Sequence, residues 1–386
     1  MLGVDVDPGI GAEISDYFSF YVPGYKFMPA YKNKVWDGKI RLFNRMTGEL
    51  NVGLFVYLHK FCDERGYGLD VLESDYGLPG TVEPVREWDQ WIRSSHLAFE
   101  PYDYQINAVK TALERQRAIL LSPTGSGKSY IIYLAIKYWI SMIKEGEHKK
   151  VLIIVPTTSL VEQLYNDFKD YGMLVENAVH RIYSGKDKNT NKKIIISTWQ
   201  SIYKNPRKWF EQYGMIIGDE CHGFKSKSLS SIMNKATEAE YKIGCTGTLD
   251  GTQTHKLVLE GLFGPVYQVT TTKSLQDDKT LAALNISVLA LMYSEETRHK
   301  AKDYTYQAEI DFLISHEKRN NFIRNLALDQ KGNTLVLFQR VANHGKILFD
   351  LIDTKAEEGR KVFFVSGQTE TSDREAIRKI VEKQHG

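Results

Sequence analysis

Five short apolar runs, RAILLSP, KVLIIVPT, KIIISTWQS, GMIIGDECH and YKIGCTGT, succeed one another between Arg117 and Thr248, each followed by a stretch of helix length. Runs of Val, Ile and Leu without polar alternation suit strands buried on both faces, and the intervening stretches supply the covering helices. This pattern predicts an α/β domain on a parallel sheet with helices on both faces. Ligands on such sheets sit at the carboxyl ends of the strands, where each of these runs turns polar.

At 386 residues the chain is long enough for two or three domains, and the texture changes along it. Residues 1–80 are expected to form a small α+β module. It is rich in aromatics and glycine, with the strand-like KIRLF, while LFVYLHKFCDERGYGL reads as a strand or as a helix capped by Gly66. SDYGLPGTVEP, Ser74 to Pro84, reads as a linker, and EPVREWDQWIRSSH as one helix with Trp88, Trp91 and Ile92 on one side, giving a linker-and-helix segment over 81–98. The α/β domain is expected over 99–325, with SHEKRNNFIRNLALDQ as a connecting helix. An incomplete second α/β unit follows over 326–386, with NTLVLFQR and RKVFFVSG as its strands.

No apolar run is long enough to span a bilayer, and the N-terminus lacks a basic flank followed by a greasy stretch, so a cytoplasmic protein is expected. Cys62, Cys221 and Cys245 are far apart and read as reduced, buried thiols. A net charge of +2 announces no nucleic-acid binding, so any basic surface must be local.

LLSPTGSGKSYII fits strand, glycine-rich turn, helix. In such a loop, here Pro123, Thr124, Gly125, Ser126 and Gly127, small residues let backbone N–H groups cradle a phosphate at a helix N-terminus. Lys128 would reach the β- and γ-phosphates of ATP, and Ser129 would ligate Mg2+. Ser122 stands where the full GxxxxGK[ST] pattern has its first glycine, and a plain βα turn that carries a lysine is the alternative. GMIIGDECH supplies the complementary acids. Asp219 would hold the metal, Glu220 would orient or deprotonate water, and His222 is placed to relay to the next strand; two solvated carboxylates opening a turn are the alternative.

Tyr104 and Gln105, SPTGSGKS, VPTTSLVEQ, TWQS, DECH and CTGT resemble, in order and spacing, motifs Q, I, Ia, Ib, II and III of superfamily 2 helicases and translocases. The resemblance implies a RecA-like P-loop lobe. In it Gln105 would read adenine with Tyr104 or Tyr102 stacked on the base. Thr157 and Thr158, with Thr198, Trp199 and Gln200, would contact a nucleic-acid backbone, although Trp199 reads equally as a core aromatic. Thr246, Gly247 and Thr248 would couple hydrolysis to strand movement through His222, or merely cap a turn.

YKFMPAYKNKVWDGKIRLFNR carries Lys26, Lys32, Lys34, Lys39, Arg41 and Arg45 against one acid, Asp37, with aromatics interleaved. That suits phosphate contact with stacking or groove insertion, or else a solvated strand face. This run and KFCDERGY resemble the accessory domain of UvsW-type phage helicases, as does DECHGFKSKSLSSIM. The resemblance implies an ATP- and Mg2+-dependent DNA helicase on branched DNA or single-strand/double-strand junctions, acting in fork regression and branch migration. It implies no membrane partner, is compatible with a monomer, and leaves contact with a single-strand-binding protein open. An RNA helicase and a nucleotide-switched DNA-binding module remain alternative readings. The family's motifs V and VI find no match in SDREAIRKIVEKQHG, where Arg374 and Arg378 read as helix-surface residues. A piece of a longer protein is expected.

Overall fold

The computed structural model describes residues 1–72, 87–143, 149–183, 187–249 and 253–383. The linker expected at Ser74 to Pro84 lies outside them. Contacts divide the chain into two units, Met1–Ala283 and Leu284–Gly386.

Among the described residues, the first unit begins with five short strands: β1 (Leu2–Gly3), β2 (Ser19–Tyr21), β3 (Lys39–Arg41), β4 (Phe43–Asn44) and β5 (Glu49–Leu50). They pair antiparallel, β2 with β3 and β5 with both β1 and β4. The ambiguous LFVYLHKFCDER is a helix, Phe55–Arg65, because Phe55, Leu58, Phe61 and Cys62 recur at helical spacing and Gly66 closes it in the left-handed conformation. These elements share a core of Ile14, Phe18, Phe43, Leu50, Leu54, Leu58 and Phe61 with Leu257, from the later helix Gln253–Phe263. Tyr57 Oη also donates to Glu260 Oε2 of that helix, at 2.6 Å. The N-terminal module therefore packs on the α/β domain as part of one compact unit.

Seven further strands form one sheet: β6 (Arg117–Leu121), β7 (Lys150–Val155), β8 (Val179–Ile182), β9 (Ile194–Thr198), β10 (Tyr213–Asp219), β11 (Tyr241–Thr246) and β12 (Val266–Gln268). Their order is β12-β6-β11-β10-β7-β9-β8, and every pair is parallel. The five apolar runs supply the inner strands, and β8 and β12, which sequence reading did not single out, are the edges. Alternation along the strands fills two cores. Val151, Ile153, Val155, Ile194, Ile196, Met215 and Ile217 face one side; Leu152, Ile154, Ile195 and Ile216 face the other. The helix Lys128–Met142 is buried nearly all round, so it lies inside the first layer rather than over it. The helix Trp88–Ser94 joins that layer through Trp88, whose ring packs 4.9 Å from Tyr138.

In the second unit, the connecting helix expected from Ser315 is Glu317–Asp329, capped by His316. Arg319 on this helix reaches His344, at 3.4 Å, and Arg360 bonds the carbonyls of Ala327 and Leu328, so the helix packs within the second unit. NTLVLFQR and RKVFFVSG, expected as strands, form no ladder. Phe338 and Phe364 stack, with centroids 5.4 Å apart, yet Leu335 and Leu337 remain 82% exposed. A strand needs a hydrogen-bonded neighbouring strand as well as an apolar face, and among the described residues these segments join no ladder.

Candidate nucleotide and nucleic-acid site

β6, β11 and β10 lie side by side, so the glycine loop, the CTGT turn and the DECH turn meet at one end of the sheet. After β6 the chain needs left-handed backbone at Gly125 (φ +85°) and Gly127 (φ +73°) before the helix starts at Lys128. Ser122, the departure from the glycine pattern, has a structural role: its Oγ lies 2.5 Å from Ser126 Oγ, which in turn donates to the Pro123 carbonyl at 2.6 Å. The hydroxyls brace the loop from within.

Gln105 is buried. Its Nε2 donates to the Ser126 carbonyl at 3.0 Å, and its Oε1 accepts from the Tyr102 backbone N–H at 3.0 Å. A side chain at Gly127 would strike that amide, 2.4 Å away. Gln105 thus fastens the helix Asp103–Arg115 to the phosphate loop, while Tyr102 and Tyr104 stack as parallel rings 5.5 Å apart, Tyr102 facing solvent.

Lys128 Nζ lies 2.5 Å from Glu220 Oε1 and 3.1 Å from Asp219 Oδ1. Burial alone would lower the lysine's pKa, but the two carboxylates outweigh it and hold the pKa above its ordinary value. For Asp219 burial dominates and raises the pKa, with Lys128 opposing. Glu220 occupies the left-handed region (φ +50°), a costly conformation for a non-glycine residue that turns its carboxylate back toward Lys128. His222 Nδ1 sits 3.0 Å from Thr246 Oγ1 and 3.4 Å from Glu220 Oε2, and Thr246 Oγ1 donates to the Thr248 carbonyl at 2.9 Å. A continuous chain of contacts thus runs from Glu220 through His222 to Thr246 and Thr248, past Gly247. Cys221 and Cys245 are free and buried beside it, and burial pushes their thiols well above the usual range.

Ser129 Oγ lies 2.8 Å from Tyr171 Oη. Tyr171 follows the helix Thr158–Asp170, and nothing in the local motifs pointed to it. Only its recurrence with Phe99, Tyr130 and Tyr133 in one aromatic cluster marks it, and that cluster assembles only in the fold.

The backbone-contact candidates lie at and just beyond the carboxyl ends of the adjoining strands β7 and β9. Thr157 is exposed and caps the helix Thr158–Asp170, accepting from Leu160 N at 3.3 Å, and Thr158 opens that helix. Gln200 is exposed and its Nε2 reaches the Pro156 carbonyl at 3.4 Å, joining the two segments. Thr198 is buried with its Oγ1 2.9 Å from Ser201 Oγ, and Trp199 packs on the second core against Tyr203. In the N-terminal module, Lys32 and Lys34 are exposed, Lys39 lies 5.1 Å from the Tyr21 ring centroid, and Arg41 is held by Asp37, whose pKa that guanidinium lowers to about 2.

Residues 98–251 match the family described as Type III restriction enzyme, res subunit, and residues 2–71 match DNA helicase UvsW, N-terminal. The chain is 36% identical to the ATP-dependent DNA helicase uvsW of Enterobacteria phage T4, over 99% of its own length and 76% of the phage protein's. It is 29% identical to the DNA 3'-5' translocase XPB2 of Sulfurisphaera tokodaii over 55% of its length and 45% of that protein's. The crystal structure of T4 UvsW superposes with a TM-score of 0.61 at 32% identity, covering 99% of this chain and 76% of that one. A second structure, of the UvsW helicase from bacteriophage T4, gives the same TM-score of 0.61 at 33% identity, covering 68% of this chain and 94% of that one. With its glycine loop and DECH turn on one RecA-like sheet and the UvsW-type module packed against it, the chain belongs to the UvsW family of superfamily 2 helicases.

Proposed function

We infer that this protein is an ATP-dependent DNA helicase or translocase that remodels branched DNA, regressing forks and driving branch migration in phage-type recombination, replication and repair. One observation carries the reading: the Lys128 ammonium lies within hydrogen-bond reach of both Asp219 and Glu220 at the mouth of the glycine loop. Such a lysine, already balanced between two carboxylates, can exchange them for phosphate oxygens without losing its charge partners.

The residues fit magnesium bound mainly through phosphate and water. Ser129 and Asp219 offer hard oxygen donors, and no cluster of three or more His, Cys, Asp or Glu suited to a metal occurs among the described residues. Held there, the ion would neutralise charge on the phosphates. With Lys128 turned to phosphate, Glu220 is released to hold the attacking water and take its proton. His222, in contact with both Glu220 and Thr246, carries the change in the acid to β11, and the neighbouring ends of β7 and β9 present Thr157, Thr158 and Gln200 to the DNA backbone.

Steady-state ATP hydrolysis with and without a branched DNA tests the reading. Branched DNA is expected to raise the rate, and Lys128→Ala to abolish turnover while DNA affinity is retained. Undiminished turnover in Lys128→Ala would remove the site assignment. A wild-type rate that DNA leaves unchanged would remove the motor and favour a nucleotide switch.

A further inference from the structure

Between β2 and β3 the chain makes a 17-residue excursion, residues 22–38, in which Gly38 alone is buried. Most segments without a core are pliable; this one is braced by its own aromatics. Tyr25 stacks on Tyr21 (centroids 4.6 Å apart, planes 24° apart) and meets Tyr31 edge-on at 4.8 Å. Trp36 Nε1 donates to the Lys39 carbonyl at 2.9 Å. Gly38, at φ +83°, lies so close under Tyr25 that a Cβ there would be 2.3 Å from the ring. Backbone bonds from Phe27 N to Gly24 O (2.9 Å), Met28 N to Tyr25 O (3.1 Å) and Val35 N to Ala30 O (3.0 Å) close the turns on both sides of the short helix Pro29–Lys32.

This braced scaffold presents apolar side chains to water. Phe27 is 80% exposed and Val35 81%, one before and one after the short helix. Exposed Lys26, Lys32 and Lys34 surround them in sequence, and the one acid of the excursion, Asp37, is taken up by Arg41. Apolar groups on a positively charged rim match unstacked bases flanked by phosphates. An intact duplex offers no base face to a phenyl ring unless it is unstacked; a branch point offers such faces where stacking is already interrupted.

We propose that the Phe27–Val35 tip is a wedge that enters the base stack at the branch point of a DNA junction, with Lys26, Lys32 and Lys34 on the flanking phosphates. This rests on the branched-DNA reading and adds the element that would select the branch.

The test is a three-way DNA junction carrying 2-aminopurine at the branch, titrated with the full chain in the absence of nucleotide, beside a linear duplex of equal length. Wild type is expected to raise the fluorescence and to prefer the junction. Phe27→Ala combined with Val35→Ser should bring the fluorescence change to background and cut the preference for the junction about tenfold. Phe27→Trp, which keeps a stacking ring, should retain the signal. Lys32→Ala with Lys34→Ala should instead weaken both DNAs and flatten the salt dependence. Wild-type fluorescence and preference in the Phe27/Val35 variant would overturn the wedge, including the case in which this tip docks a protein. The signal needs no hydrolysis, so it separates the two ideas: a branch signal without DNA-stimulated ATPase sinks the motor and keeps the wedge, and the converse sinks the wedge alone.

Discussion

The two units of the chain carry the same kind of sequence and settle it differently. In Met1–Ala283 every apolar run of the α/β domain has a hydrogen-bonded neighbour, and both faces of the sheet are covered. In Leu284–Gly386 the runs NTLVLFQR and RKVFFVSG are as rich in Leu, Val and Phe, yet no ladder forms, and Leu335, Leu337, Phe363 and Val365 face water. Strand propensity measures how well a residue fits a pleated, half-buried surface, and that surface exists only when neighbours build it. Chemistry follows the same divide. Lys128, Asp219 and Glu220 of the first unit converge on one crevice, whereas Arg374 of the second spends its guanidinium on the carbonyls of Ser366, Gly367 and Thr369, at 3.0 to 3.1 Å.

The sharpest way to break this contrast is to disable one charged residue in each unit. Glu220→Gln keeps the shape and removes the proton acceptor. Its turnover should fall about 10²- to 10⁴-fold with ATP still bound, as read by single-turnover hydrolysis and nucleotide binding. Arg374→Ala should leave the rate within about twofold; a loss comparable to that of Glu220→Gln would place chemistry in the second unit and undo the comparison.

Packing gives the next largest difference. Ile153 is fully buried in the first core, so Ile153→Ala should cost about 3 kcal/mol in denaturant unfolding. Leu337, 82% exposed, should cost under about 0.5 kcal/mol as Leu337→Ala. Equal losses would mean that Leu337 is covered in solution.

What the sequence made legible is what local chemistry determines. The glycine loop, the acids after β10 and the threonines after β11 each sit at the end of a long apolar run, so pattern and function coincide in a few residues. Edge strands β8 and β12 carry VHRI and VYQ, too short and too mixed to stand out. Gln105 as a brace of the phosphate loop, Tyr171 beside Ser129, and the Tyr57 to Glu260 bond across 203 residues depend on distant segments meeting. The same long-range dependence explains the failed strands of the second unit.

A smaller effect probes the cost of closure in the first unit. Lys242 is buried at the start of β11, its ammonium bonded to the Met233 carbonyl at 2.8 Å; burial, helped by Arg117, lowers its pKa to about 7. The folded value lies below the ordinary lysine value, so the unfolded chain binds the extra proton between about pH 7 and 10.5. Stability should therefore rise with pH across this window, by about 1 kcal/mol per unit, and be lost again as pH falls toward 7. Lys242→Met should remove that slope in urea titrations at pH 7.5 and 9, taken as roughly the middle of the window. An unchanged slope would mean that water reaches the ammonium and the edge of the core is open.

The smallest expected effect concerns Tyr171. When Ser129 Oγ gives a lone pair to a cation, its proton must point to an acceptor, and Tyr171 Oη, 2.8 Å away, is placed to be one. Tyr171→Phe keeps the ring in its cluster with Phe99, Tyr130 and Tyr133 and deletes only the acceptor. Losing one such hydrogen bond, about 1 kcal/mol, should raise the magnesium concentration for half-maximal ATPase about fivefold, with the rate at saturating metal unchanged. A fall in the rate at saturating metal would show that the phenol acts on the reaction itself. A lowered magnesium requirement would show that it competes with the metal for Ser129. In either case the aromatic cluster would be setting the chemistry of the first unit from outside its motifs.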